Sequence, residues 1–271
     1  CRAIDRRGNR RLDKAAIMMN LHLEGLKVAI AGGTRGIGLA IGHMFARENC
    51  QLAICGQDSL TMSVALSELK RHGNKIRGDT LDISDTEKCR DWVKSAAEDL
   101  GGLDVFIGNA AALSEANNDP GWRRSVDVGL LGVIAGADAA IAFLRNSTRP
   151  TIIFVASTAG IESGGQALPY SAVKAALIAH AKDLAIELSN TGIRVNAISP
   201  GMVYDKSGCW GQMEQTNPDY FSYVKNSNPM RRMADLNDVT NAVAFLTSTE
   251  GSFINGTNLV IDGGRSRSYS G

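Results

Sequence analysis

Excess charge is almost missing from this 271-residue chain: 29 lysines and arginines face 28 aspartates and glutamates, a formal net charge of +1. So weak a field gives no reason to expect nucleic acid or an anionic membrane surface as a partner. Cysteine is also scarce. The five thiols (Cys1, Cys50, Cys55, Cys89 and Cys209) are odd in number and show no CxxC or Cys/His spacing. That argues against a disulfide framework or structural zinc and for reduced thiols in a cytoplasmic setting. His22, His43, His72 and His180 are scattered without ligand spacing, so no metal is expected. No uncharged apolar stretch reaches the roughly 18 residues a transmembrane helix needs, and the first residues lack the apolar core of a signal peptide. Residues 1–22, rich in arginine, read as an extension outside the fold. They are expected to be disordered, or added ahead of a natural start at Met18 or Met19; an Arg-rich transit peptide is the alternative. No repeat, low-complexity tract or linker divides the remainder, so 23–271 is expected to form a single domain.

Short apolar runs recur along that domain: LKVAIAG, CQLAICG, LDVFIGN, PTIIFVAS, GIRVNAIS and TNLVIDGG, with a weaker one at NKIRGDT. Their β-branched content and lack of alternation predict strands buried on both faces. Helical periodicity lies between them, as at Ile37, Ile41, Met44 and Phe45, or from Thr86 to Leu100, where Ser84 and Glu87 have the spacing of a capping box. Strict β-α alternation predicts an α/β fold with a Rossmann-like, doubly wound parallel sheet of about seven strands and helices on both faces. One segment, at about 203–230, breaks the rhythm. It gathers Trp210, Tyr220, Phe221 and Tyr223, and a connection of that length suggests a substrate lid.

The first strand runs into GGTRGIG and then a helix, placing glycines at 32, 36 and 38. Glycine permits positive φ in a tight turn and lets the backbone approach a pyrophosphate, whose charge the helix N-terminus favours. In this strand–loop–helix context the pattern predicts a dinucleotide site. Further along, Tyr170 and Lys174 in YSAVK lie one helical turn apart and share a face. A phenol with a pKa of about 10 is a poor catalyst at neutrality, and a neighbouring ammonium is expected to lower that value.

Together, the G-x-x-x-G-x-G loop and YSAVK resemble the short-chain dehydrogenase/reductase family, including its 3-oxoacyl-carrier-protein reductase-like members. The resemblance spans about Leu23 to Gly264, with the family's motifs in family order. It implies cofactor contacts from Gly32, Thr34, Arg35, Gly36, Ile37 and Gly38, with Ala31 where the family usually has threonine. Asp82 and Ile83 in LDI would meet the adenine, and Asn109 and Ala110 in GNAA stand where NNAG is usual. Pro200 and Gly201 in SPG, followed by Val203, would border the nicotinamide, and IDGG closes the set. Ser157, Tyr170 and Lys174 would be catalytic: Tyr170 as proton donor, Ser157 on the carbonyl oxygen, and Lys174 tuning Tyr170 and binding the nicotinamide ribose.

The resemblance thus implies hydride transfer between a nicotinamide and a carbonyl or secondary alcohol. NADP(H) is favoured, because Gly56 replaces the acid that reads the NAD ribose and Arg35 precedes the Gly36 turn. Gln57 stands where a second base is common and Asp58 is one position on, so NAD(H) is the alternative. A homodimer or homotetramer through the apolar helices is expected. Two departures matter. Gly129 replaces an asparagine of the proton relay, and Asp205 stands where a threonine commonly contacts the carboxamide. They leave a second reading open, a nucleotide-regulated binding or scaffold protein with little turnover.

Overall fold

The computed structural model describes residues 21–112, 116–165 and 167–268, so the expectation for the extension falls outside the described residues up to residue 20. Leu21 already packs against the core, and the His22 carbonyl accepts a hydrogen bond from Arg149.

Each of the seven apolar runs forms a strand: β1 (Lys27–Ala31), β2 (Gln51–Gly56), β3 (Ile76–Thr80), β4 (Val105–Gly108), β5 (Thr151–Val155), β6 (Arg194–Pro200) and β7 (Asn258–Ile261). All pair in parallel, in the order β3-β2-β1-β4-β5-β6-β7. Every residue of β4 and β5 is buried, as both-face coverage by helices requires. One face is covered by α1 (Gly36–Arg47), α2 (Ser59–Leu69) and α9 (Leu236–Thr247), packed around Ile41, Phe45 and Val239. The other is covered by α3 (Thr86–Leu100), α5 (Val133–Leu144) and α6 (Pro169–Glu187), packed around Trp92, Phe106 and Leu177.

Before α5, helix α4 (Asp119–Val126) passes through a π-helical turn (Asp127–Gly132) without a break. The combined run, Asp119–Leu144, is 26 residues long with mean hydropathy reaching 1.8, so by length and composition it could cross a membrane. Asp127 and Asp138 hide it from a search for uncharged stretches. In the fold it is a core element, with Val133, Ala137, Ala140 and Leu144 buried beside α3 and the sheet. Gly136 makes this possible: a Cβ there would come within 2.7 Å of the Phe106 ring.

One expectation is corrected. Helix α3 is not capped by Ser84 and Glu87; its N-cap is Asp85, which accepts a hydrogen bond from the Lys88 amide at 3.1 Å. The carboxylate also meets the Lys88 ammonium at 2.9 Å, and an anion at a helix N-terminus is favoured by the dipole. The four aromatics of the 203–230 segment divide between core and surface. Helices α7 (Cys209–Thr216) and α8 (Pro218–Ser227) fold there, and Phe221 and Val224, on one face of α8, are buried with Met233 against Tyr204 and Trp210. Tyr220 and Tyr223, on the adjoining face, stay exposed. Helical spacing separates them.

Asp85→Ala should cost about 1 kcal/mol in urea unfolding, whereas Glu87→Ala, whose side chain is exposed and 3.6 Å from Arg90, should cost under about 0.5 kcal/mol. Equal losses would restore the Ser84–Glu87 cap.

Candidate active site

Strand order reverses between β1 and β4, and in such sheets a crevice opens beyond the strands' C-terminal ends. Here the loops after β1 and β4 touch through backbone. A Cβ on Gly32 (φ +84) would lie 2.8 Å from the Ala110 backbone. Asn109 Nδ2 donates to the Gly32 carbonyl at 2.7 Å, and a Cβ on Gly38 would run into that same carbonyl. Arg35 leads into α1 in extended conformation and gives it no side-chain cap; the first turn, which includes Gly36 and Ile37, has no acid. Its amides are therefore left for an anion, and this bare cradle fits a pyrophosphate. One acid does approach it: Asp205 Oδ2 lies 3.9 Å from the position a Gly36 Cβ would take.

The ends of β2 and β3 form the candidate adenosine end. Beside Gly56, Thr34 fills the space of a side chain, its Cγ2 and Oγ1 lying 2.6 and 2.7 Å from where a Cβ would be. Asp58 is the N-cap of α2, accepting from the Thr61 amide at 2.8 Å. Asp82 accepts from the Ser84 amide at 3.0 Å and pairs with Arg124 at 2.8 Å. Burial works against its charge, but Ser84 and Arg124 outweigh burial and hold the carboxyl below its ordinary range. Ile83 is buried in the core. Arg124 of α4 also donates to Gln57 Oε1 at 2.8 Å and to Ser84 Oγ at 3.1 Å. Nothing in the sequence marked Arg124, because its partners lie 67 and 40 residues away.

Ser157 follows β5 and starts a 3-10 turn over Thr158–Gly160, accepting from the Ala159 amide at 3.2 Å. That turn lies on α6: a Cβ on Gly160 would come within 2.7 Å of the Lys174 and Ala175 backbone. Ser157 is thereby brought close enough to Tyr170 for its hydroxyl to act on the phenol's ionisation. Lys174 is 2% exposed, donates Nζ to the Val155 carbonyl at 2.6 Å, and sits 5.5 Å from the centroid of the Tyr170 ring. The three predicted side chains therefore converge.

Their ionisation differs from expectation. Burial pushes the Tyr170 phenol up, and the Ser157 hydrogen bond only partly opposes it. Burial also pulls Lys174 down, to about 8. The ammonium's hydrogen bond goes to Val155, and desolvation is the leading cause of both shifts.

At Gly129, in the π-helical turn, a Cβ would lie 2.9 Å from Val173 Cγ1, so that position presents no relay side chain and leaves no room for one without movement. Gly201 lets Asp262 approach, a Cβ there falling 2.8 Å from the Asp262 Cβ, and Pro200 is buried at the end of β6. Val203 bridges to Ala234, so the two ends of the α7–α8 segment are tied to each other.

A family model described as enoyl-(acyl carrier protein) reductase matches residues 31–266. The chain belongs to the short-chain dehydrogenase/reductase family. It is 33% identical over 252 residues to the isoepoxydon dehydrogenase of Penicillium expansum, covering 92% of this chain and 97% of that protein. Among solved structures it is similar to the L-sorbose reductase of Gluconobacter frateurii, complexed with NADPH and L-sorbose (TM-score 0.82, 25% identity, covering 90% and 98%). It is equally similar to an NAD+-bound xylitol dehydrogenase (TM-score 0.82, 26% identity, 90% and 100%). As a family member it is an NAD(P)-dependent oxidoreductase acting on alcohol or carbonyl groups of small molecules. The two neighbours carry different nicotinamides, and they leave the choice between them open.

Lys174 keeps its proton to about pH 10.5 when unfolded and to about 8 in the fold. Between those values the unfolded chain binds more protons, so this lysine makes stability rise with pH. Lys174→Met should remove that rise, about 2 kcal/mol between roughly pH 7.5 and 9.5. Urea unfolding of both proteins from roughly pH 7.5 to 9.5 checks it. The buried thiols of Cys50 and Cys89, pushed up to about 12 and about 11, act oppositely in both proteins and cancel in the difference. A difference that does not change with pH would refute a buried ammonium.

Proposed function

We propose that the protein is an NADP(H)-linked carbonyl reductase or alcohol dehydrogenase working through Ser157, Tyr170 and Lys174. The observation that carries this reading is the convergence of these side chains on the first turns of α6, at the same end of the sheet as the glycine cradle. Three features support NADP(H). Thr34 leaves no room beside β2 for an acid that would bind the ribose hydroxyls, since Gly56 must stay bare. Asp58 is committed to capping α2. Arg35, exposed at the entrance to α1, is available to a 2′-phosphate.

A bound nicotinamide supplies the hydride in reduction and accepts it in oxidation. The chain's own residues manage the oxygen. Ser157 Oγ accepts from the Ala159 amide, so its one hydrogen, which favours the Tyr170 oxygen without substrate, can turn to the carbonyl oxygen as negative charge develops there. Tyr170 delivers the proton to that oxygen. Burial keeps the phenol protonated, the form that reduction needs; oxidation needs the phenolate. Lys174, anchored on Val155, holds positive charge beside the ring and is placed to bind the nicotinamide ribose.

The apolar packing of Phe221, Tyr204 and Trp210 under the lid helices favours an uncharged substrate with an apolar or ring-containing group next to the reacting carbon. Leu131 and Ile186, exposed on the helical layer of α4–α6, support a homodimer or homotetramer formed through that layer. The buried reduced thiols fit a cytoplasmic setting.

Tyr170→Phe should lower turnover by two to four orders of magnitude while NADPH affinity in calorimetry stays within about twofold. Wild-type oxidation of an alcohol should accelerate as pH rises into the alkaline range, because the raised phenol must first lose its proton, and carbonyl reduction should weaken there. A wild type without turnover on any carbonyl, unaffected by Tyr170→Phe, would favour the scaffold reading that Gly129 and Asp205 leave open.

A further inference from the structure

The guanidinium of Arg124 spans the mouth of the adenosine end from the helical side. One nitrogen, Nη1, reaches Asp82 and Ser84 beyond β3; the other, Nη2, reaches Gln57 beyond β2. Because a guanidinium only donates, Gln57 must turn its amide oxygen toward it, which points the amide NH2 away from Arg124. A glutamine so held offers donors to whatever lies beyond the end of β2. Among the described residues, the Nε hydrogen of Arg124 and the second hydrogen of Nη2 have no protein acceptor, so the cation keeps bonding capacity after its three contacts. Its pairing with Asp82 is partly exposed, the side chains being 32% and 43% accessible, and such a pair yields readily to a stronger anion. The other side of this end carries Arg35, whose charge is felt by Asp58. A group lying past Gly56 would therefore meet two guanidinium groups and an amide NH2, while the Asp82 carboxylate is turned to Arg124 and that of Asp58 is engaged at the N-cap of α2.

We propose that Arg124 is a specificity-determining residue for the cofactor's adenosine end: it fixes Gln57 as a donor and shares its own charge with a ribose 2′-phosphate. The proposal rests on the NADP(H) reading above and deepens it. Arg124 acts partly as a positioning residue, through Gln57, and partly by direct attraction. A dianionic phosphate gains from both, whereas a ribose hydroxyl, which binds adequately to either a donor or an acceptor, gains little.

The test uses two fragments that differ only in the phosphate of interest, 2′,5′-ADP and 5′-AMP, titrated calorimetrically into wild type, Arg124→Met, Arg124→Lys, Gln57→Leu and the Arg124→Met/Gln57→Leu double variant. Wild type should prefer 2′,5′-ADP. Arg124→Met should weaken 2′,5′-ADP about tenfold or more and 5′-AMP less than about threefold. Arg124→Lys, which keeps the charge but cannot grip Gln57 and Asp82 together, should fall between. The double variant should lose less than the product of the single losses, because one residue acts through the other. An arginine that merely holds α4 in place would weaken both fragments equally, and that result, or an unchanged discrimination ratio, overturns the proposal while leaving the NADP(H) reading intact. A wild type that binds both fragments alike overturns the NADP(H) reading itself and this inference with it. Should Arg124→Met fail to fold, the Arg124→Lys and Gln57→Leu ratios decide the matter in the same way.

Discussion

A single buried hydrogen bond, from Lys174 Nζ to the Val155 carbonyl, holds the chemical end of this protein together. It joins the second turn of α6 to the last residue of β5, and every other placement there follows. With α6 pinned to the strand end, the turn that begins at Ser157 can lie flat on the helix because Gly160 has no side chain, and Ser157 meets Tyr170. The cost is an ammonium taken out of water, visible as the depressed pKa of Lys174, about 8. A buried charge is tolerated where it is hydrogen-bonded and lies against a π face. The site therefore sits close to the limit of keeping that charge.

The cofactor half of the crevice follows a different constraint, the absence of side chains. Gly32, Gly38 and Ala110 allow the β1 and β4 loops to close on each other, tied by Asn109. At Gly56 the missing side chain makes room for Thr34 instead of a ligand. The two halves are joined by the α4–α5 run. It carries Arg124 to the adenosine end, Gly129 against α6, and small residues against β4.

Much of this was legible in the sequence because the signals are local. The five inner strands, buried on both faces, must be continuous apolar runs and are legible as such, whereas the edge strands β3 and β7 are only partly buried and β3, IRGDT, gives the weaker signal. The glycine loop and YSAVK each fall within one strand–helix junction. What escaped was set by distant partners. Arg124 acquires its role from Gln57, Asp82 and Ser84, which sequence spacing cannot bring together. The cap of α3 was misassigned because Ser84 and Asp85 are adjacent candidates, and the better anion took the position. The direction of the Tyr170 shift was also missed. Lysine one turn away predicts attraction, but the depth of burial that reverses it is a property of the assembled core. The division of the lid aromatics is likewise set by the fold: the register of α8 sends Phe221 inward and Tyr220 and Tyr223 outward.

The central claim is a hydride-transfer site fitted to NADP(H), and the most direct measurement is calorimetric titration of the wild-type protein with NADPH and, separately, NADH. The account predicts that both bind and that NADPH binds at least about tenfold tighter, a difference near 1.4 kcal/mol. NADH binding equally well or better would contradict the part assigned to Thr34, Gly56 and Arg35. Failure of both to bind would contradict the site itself.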